Sequence, residues 1–458
     1  AASDVYKRQI FDQLVIPPTA HHTDLLNIFL VFSMLLFVPY ACVLLGASFL
    51  SVYFKREGSK RKNSIYLRFS HDILDKLVVK LSVGIGVVIV PVFSITFVYA
   101  QLLYNAQVIS VSILLLSSIL FTAGIILLAR FKNSMNLENV FSSIKNIVPE
   151  KNKLPENVKS IEAEVKSSIS QNGITSLIVL IFAVFLYTGA VSIAENPAKW
   201  DSVTNILGFL ISPDTWINFG LFITSAFSIT SASILFLFFR WNGGLKNMTE
   251  EYRQYVTSFS VITAFVSTLL IPLFLIIKFL ITPEVALSKG VFIYSGLALI
   301  SLLLVCNFFY AIIRNSEVKW SSAAFLVLII AFTFIIIKDQ VTLANALKKH
   351  LVVVNHVADS IENVKFPKNV KVAEVSGEEL FTTKCSACHK FNEKLTGPPY
   401  DVTVPKYNGD VKKLAAYIYN PVKIDPGYPA MPNQGVTMKE AEAVAQFLID
   451  KVKQDTGK

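Results

Sequence analysis

A chain of 458 residues, 53% of them hydrophobic and only 16% charged, is too apolar for an ordinary soluble protein and too long for one small domain. Its formal net charge of +10 does not point to nucleic acid, because the cations fall in short clusters between apolar runs and form no basic face or tail. Four cysteines are too few for a disulfide framework.

In chain order, Asp4-Val5-Tyr6-Lys7-Arg8-Gln9 looks like translated library-adapter sequence, so residues 1–9 are set apart from the fold as a scar and the native start is expected to differ. Spanning a hydrocarbon core takes about 20 apolar residues in a helix. Runs of that order occupy 25–54, 77–103, 108–131, 174–194, 216–239, 256–281, 291–313 and 323–337, the last being short and flanked by Trp320 and Lys338 as interfacial anchors. Cys42 and Cys306 lie inside such runs and read as packing residues.

The cations sit in alternate links. Lys55, Arg56, Lys60, Arg61, Lys62 and Arg68 follow the first run; Lys132, Lys145, Lys151, Lys153, Lys159 and Lys166 follow the third; Arg240, Lys246 and Arg253 follow the fifth, and Arg314 and Lys319 the seventh. The other links carry little beyond Lys199 and Lys289. By the positive-inside rule, every second link is cytoplasmic, and both the N-terminus and everything after the eighth run lie outside. Residues 10–338 are therefore expected to form a transmembrane domain, 339–375 a helical stalk and a linker containing Pro367, and 376–458 a compact soluble domain.

Few intramembrane polar groups stand out. Lys278 is close enough to a helix end to snorkel, and Glu195 is at one. His21, His22, His71, His350 and His356 all fall outside the middle of the runs and read as surface or interfacial histidines, with the His21/His22 pair best placed for an outer-face quinol or haem site.

The soluble part opens on Ser376-Gly377-Glu378-Glu379, a capping-box pattern, and its last helix opens on Thr437-Met438-Lys439-Glu440. Between them lies Cys385-Ser386-Ala387-Cys388-His389. In such a motif two thiols add to haem vinyl groups and the adjacent histidine is carried under the iron. A redox disulfide or half a zinc site is the competing reading, but no βαβ pattern surrounds the motif and no second Cys/His pair follows it. Met431, between Pro429 and Pro432 on a loop with little apolar periodicity, is the candidate distal ligand; Met438, just inside the last helix, is its competitor.

These residues, together with Thr396-Gly397-Pro398 and the aromatics Phe381 and Phe447, resemble a class I cytochrome c. The resemblance implies one covalent haem c ligated by His389 and Met431, a Pro398 carbonyl that accepts a hydrogen bond from His389, first and last helices packed through Phe381 and Phe447, and haem attachment outside the cytoplasmic membrane. That is the side on which the loop charges already place the domain.

A second resemblance lies in the membrane part. Ser33-Met34-Leu35-Leu36-Phe37-Val38-Pro39 with Gly46 and Ser48, the link from Arg68-Phe69 to Lys76-Leu77, Gly84 and Gly86, and Pro213, Phe219 and Thr224-Ser225 are similar to cytochrome bd quinol oxidase subunit I. Met34 and Leu221 stand where that family has haem-ligating histidines, 91–97 lacks its buried glutamate, and only 282–290 replaces its long quinol-binding loop. The resemblance thus implies a relative without the oxygen-reducing haems.

The expected fold is all-α: an eight-helix transmembrane bundle followed by a small cytochrome c domain. The expected function is one-electron transfer on the periplasmic side of a bacterial cytoplasmic membrane, as a respiratory-complex subunit in contact with lipid. Lys384, Lys390, Lys394, Lys412 and Lys413 either steer an acidic redox partner or are plain solvated surface. The alternative is a quinol-oxidising or bd-like subunit with b haems, for which haem b or quinone would need membrane ligands that the sequence does not display.

Overall fold

The computed structural model describes residues 15–78, 80–106, 108–147, 156–245, 248–315, 317–365 and 376–456. The adapter segment 1–9, the linker from 366 to 375 and the basic residues Lys151, Lys153 and Lys246 lie outside them. The described residues contain helices and no strand. The chain divides into two compact units, Ala1–Asp359 and Ser360–Lys458.

Among the described residues, eight helices are long and apolar enough to cross a membrane. They are α1 (Ala20–Arg61), α3 (Leu81–Leu102), α4 (Ser110–Ile147), α5 (Glu156–Ala194), α7 (Pro213–Phe239), α8 (Glu250–Ile281), α9 (Lys289–Asn315) and α10 (Ser321–Lys365). Phe32, Leu270, Ile300, Leu303 and Leu326 are among many large apolar side chains left exposed on them. Such a surface suits lipid and would be an aggregation hazard in water.

Two short helices complete the unit: α2 (Ser64–Leu77) and α6 (Ile206–Ile211). The amphipathic α2 occupies what reads in the sequence as a basic link. Leu77 ends it, so the apolar run at 77–103 is divided by a break before α3. Asn63 caps α2 by accepting from the backbone N–H groups of Ile65 and Tyr66.

Helix association in lipid depends on close packing and on interhelical polar contacts. Gly46 of α1 shows the first: a Cβ there would lie 2.2 Å from Thr230 Oγ1 of α7, so only glycine lets the two helices approach this closely. Phe37, Phe121 and Tyr187 interlock α1, α4 and α5 edge to face. At one end of the bundle Lys55 pairs with Glu138, and Tyr252 donates to Asp72 at 2.7 Å, joining the end of α1, α2, α4 and the start of α8.

At the ends of α5 and α8 and along α10, polar contacts of another kind form. Lys278 does not snorkel. It is 5% exposed and bridges Glu195 at 3.2 Å and Asp339 at 2.9 Å, while Lys338 reaches Asp339 at 2.5 Å. Glu195 and Lys338 are buried as well, so Glu195 is no solvated helix end and Lys338 no interfacial anchor. A long cation buried in lipid-facing structure persists only where carboxylates meet it. His350 likewise departs from a surface role: its ring packs on Trp200 at 5.1 Å and its Nε2 is enclosed. The last span and the segment read as a stalk form one unbroken helix, α10.

After the end of α10 the second unit goes on to α11 (Gly377–Leu380), which a wider turn over Phe381–Cys385 prolongs. It continues through α12 (Tyr400–Thr403), α13 (Val411–Tyr419) and α14 (Met438–Thr456). Both predicted helix starts are capped: Ser376 Oγ accepts from Glu379 N at 3.1 Å, and Thr437 and Glu440 exchange bonds reciprocally. Phe381 meets Phe447 at 5.7 Å. Leu380, Leu414, Ile418, Val444 and Leu448 fill the core between α11, α13 and α14, and each such side chain contributes about 1.5–3 kcal/mol on full burial.

Candidate functional site

The turn that ends the first helix of the second unit does the positioning. Its backbone closes on itself, with the N–H groups of Cys388 and His389 both donating to the Cys385 carbonyl at 3.1 Å. This compact fold sets Cys385 buried on the inside and Cys388 exposed, with His389 half-buried beside them. Burial pushes the Cys385 thiol up from its ordinary pKa, against the pull of the neighbouring Lys384 ammonium.

His389 is held from three sides. Its Nδ1 lies 3.1 Å from the Pro398 carbonyl oxygen. Its ring stacks on Tyr400 with centroids 4.9 Å apart. Gly397, tied to the motif by its N–H bond to the Cys388 carbonyl at 2.8 Å, lies so close that a Cβ would fall 2.1 Å from His389 Cε1. With Nδ1 engaged as donor to a carbonyl, the imidazole presents Nε2 as its remaining ligating nitrogen.

Cys385, Cys388, His389, Pro398 and Met431 all line one cleft that is partly open to solvent. Met438 is exposed at the first residue of α14 and takes no part in that lining. Apolar and aromatic side chains, among them Tyr407, Leu414, Ile418 and Ile424, supply much of the remaining lining, with charged residues beside them. A haem fits this donor set: two thiols for its vinyl groups, an oriented imidazole and a thioether for its iron, and an apolar surround for the macrocycle.

Of the lysines singled out in the sequence, Lys384 lines the cleft; Lys390 pairs with Glu393 at 2.9 Å, Lys394 lies 4.8 Å over the Tyr428 ring, and Lys412 and Lys413 are exposed on α13. Lys406 and Lys423 line the cleft without having been anticipated, as do Tyr400 and Tyr407. One signal was available for this region. Asp410 followed by Leu414 and Ile418 is an N-cap with an i, i+4 apolar pair, and Asp410 indeed caps α13 by accepting from Lys413 N.

In the membrane unit, Met34 and Leu221 line one cavity. The Met34 sulfur accepts a hydrogen bond from Tyr187 Oη at 2.7 Å.

Comparison with known proteins bears on the C-terminal region. The pattern of the family described as cytochrome c oxidase, cbb3-type, subunit III matches residues 373–448. Cytochrome c-551 of Pseudomonas denitrificans is 34% identical over 79 residues, which is 16% of this chain and 95% of that protein. Cytochrome c-551 of Azotobacter vinelandii is 35% identical over 78 residues, again 16% of this chain and 95% of its own length. No solved structure matches the chain.

Proposed function

We propose, starting from the fact that this chain belongs through its C-terminal domain to the cytochrome c family, that it is a multi-pass membrane cytochrome carrying a single haem c for one-electron transfer. The observation that carries this reading is the convergence of Cys385, Cys388, His389 and Met431 on one cleft. Cys385 and Cys388 hold the haem by thioether bonds, and His389 and Met431 ligate its iron. Bound there, the haem supplies reversible one-electron oxidation at iron, and two protein ligands leave no open position for oxygen.

The chain's own residues set the conditions for that chemistry. The Pro398 carbonyl fixes the ring orientation of His389 and raises its basicity as a ligand. The apolar lining keeps water from the group and limits the reorganisation that a change of charge demands. Lys384, Lys406 and Lys423 outnumber Asp425 in the lining of the cleft, a positive balance suited to an acidic partner.

Charge and family each support a placement. The cation-rich alternate links support a bacterial cytoplasmic membrane orientation with the haem domain on the periplasmic side. The name of the matching family, a subunit of an oxidase, supports a place beside other subunits of a respiratory chain. Kinship of the membrane unit with bd quinol oxidase subunit I is supported by Met34 and Leu221 lining one cavity. No observation favours b haems there, since the Met34 sulfur is already engaged by Tyr187.

Pyridine haemochrome analysis of the detergent-purified chain, made in a host that matures c-type cytochromes, tests the proposal. One haem c per chain and no haem b is the expected result; absence of haem c, or haem b beside it, overturns it. A ligand test follows. Met431→Ala is expected to abolish the thioether-to-iron charge-transfer band and lower the midpoint potential, whereas Met438→Ala leaves both as they are. The opposite pattern would assign the distal ligand to Met438.

A further inference from the structure

The link between α5 and α7 contains the short helix α6, and from Ser202 to Pro213 it carries no charged residue. One side chain of α6 is seated in the bundle. Phe209 is fully buried, meets Phe185 of α5 edge to face at 5.8 Å, and lies so close to Gly189 of α5 that a Cβ there would fall 2.5 Å from its Cζ. Gly189 and Phe185 are about 7.5 Å and about 13.5 Å inside the end of α5 at Ala194. The short helix is therefore folded back along the span and does not stand clear of it.

Its other large side chains are bare. Leu207 and Ile211 are 65% and 78% exposed, and Ile206 and Leu210 are exposed with them. On a solvated loop such a patch would be a liability. It is continuous with the surface of the spans through Trp216, which is exposed in the first turn of α7, meets Phe185 at 4.9 Å and donates its indole N–H to the Leu210 carbonyl at 2.8 Å. Tryptophan with an apolar body and a satisfied N–H belongs at the edge of a bilayer.

The backbone of α6 is arranged for a place without water. A helix leaves N–H groups unpaired at its start and carbonyls at its end, and in solution water serves them. Here Asn205 Oδ1 accepts from the Gly208 N–H at 2.8 Å, the Gly208 carbonyl accepts from the Ser212 N–H at 3.1 Å, and Thr215 Oγ1 donates to the Phe209 carbonyl at 3.1 Å. With Trp216 on Leu210, three successive carbonyls at the end of α6 are paired by the protein itself, as lipid demands of any backbone it surrounds. The charge that follows, Asp214, is buried and paired with Lys199.

We propose that α6 is a membrane element that does not span, laid into the acyl-chain region of one leaflet with Ile206, Leu207, Leu210 and Ile211 against lipid. It rests on the reading of this unit as membrane-embedded and is independent of the haem assignment.

The test places a nitroxide on the full chain through Leu207→Cys, Ile300→Cys or Asp201→Cys, with the chain in phosphatidylcholine nanodiscs. Ile300 is an exposed apolar position on α9 and Asp201 an exposed polar one before α6. Spin relaxation by oxygen, which concentrates in lipid, is compared with relaxation by a water-soluble nickel chelate. The oxygen-to-nickel ratio at Leu207 is expected to match that at Ile300 and to exceed severalfold that at Asp201. Melting curves and haem spectra like those of the parent establish that the variants are folded. A ratio at Leu207 like that at Asp201 would place α6 in water and overturn the proposal. Weak relaxation by both reagents there would mean that protein, such as a second copy of the chain, covers the face, and would overturn it as well. Nickel exposure at Ile300 too would bring down the membrane reading itself, so the two failures are told apart.

Discussion

Gly397→Ala is expected to destroy His389 ligation, with loss of the low-spin spectrum of a His/Met haem even in molecules whose thiols have reacted. The new Cβ would stand 2.1 Å from Cε1, 2.5 Å from Nδ1 and 2.7 Å from Nε2 of His389. These are atoms of a rigid ring, and the ring cannot yield by a small rotation because Pro398 holds its Nδ1 and Tyr400 covers its face. Backbone movement of Gly397 would instead cost its bond to the Cys388 carbonyl. Either route moves the imidazole away from the position the motif gives it. Absorption spectra of the purified variant check this; a spectrum like that of the parent would mean that the packing around His389 is far softer than these contacts imply.

The second large effect belongs to the membrane unit. Lys278→Met is expected to destabilise it by about 3–5 kcal/mol, the usual consequence of stripping one partner from a buried ion pair. Asp339 keeps Lys338, but Glu195 loses its ammonium partner at 3.2 Å and remains buried. Glu195→Gln placed on top of Lys278→Met removes the orphaned charge and is expected to restore part of the loss, a non-additivity typical of contacting groups. Thermal unfolding in detergent reads both. A double variant no more stable than the single would show that the cost lies in lost packing of the lysine stem.

The apolar spans were legible because each is a run of the length a bilayer demands, a property of local sequence alone. Helix α2 was not, since its amphipathic pattern is short and sits within a basic link. Lys278 looked able to reach water because it lies in the last turn of α8, and only the approach of α5 and α10 closes that route. A similar limit explains His350, whose burial depends on Trp200, distant in sequence. In the second unit Cys385, Cys388 and His389 stood out as candidates by their spacing, and Met431 because prolines flank it where no core would ask for methionine; that all four line one cleft is what folding adds. Tyr400, Lys406 and Lys423 reach the same cleft only through the folding of α12, α13 and the chain after them, which leaves no trace in any short stretch of sequence.

Among the described residues most of the buried apolar side chains fall in two clusters with no member in common, one from Val15 to Val354 and one from Leu380 to Val452. Chains organised this way can be assembled by recombination, because joining or exchanging a unit requires no repacking of the other. The similarity to cytochrome c-551, which takes in 95% of those proteins but 16% of this chain, has the extent expected of a whole redox module inherited as a block. The redox module thus carries its whole apolar core within its own stretch of chain, as a unit passed on entire must.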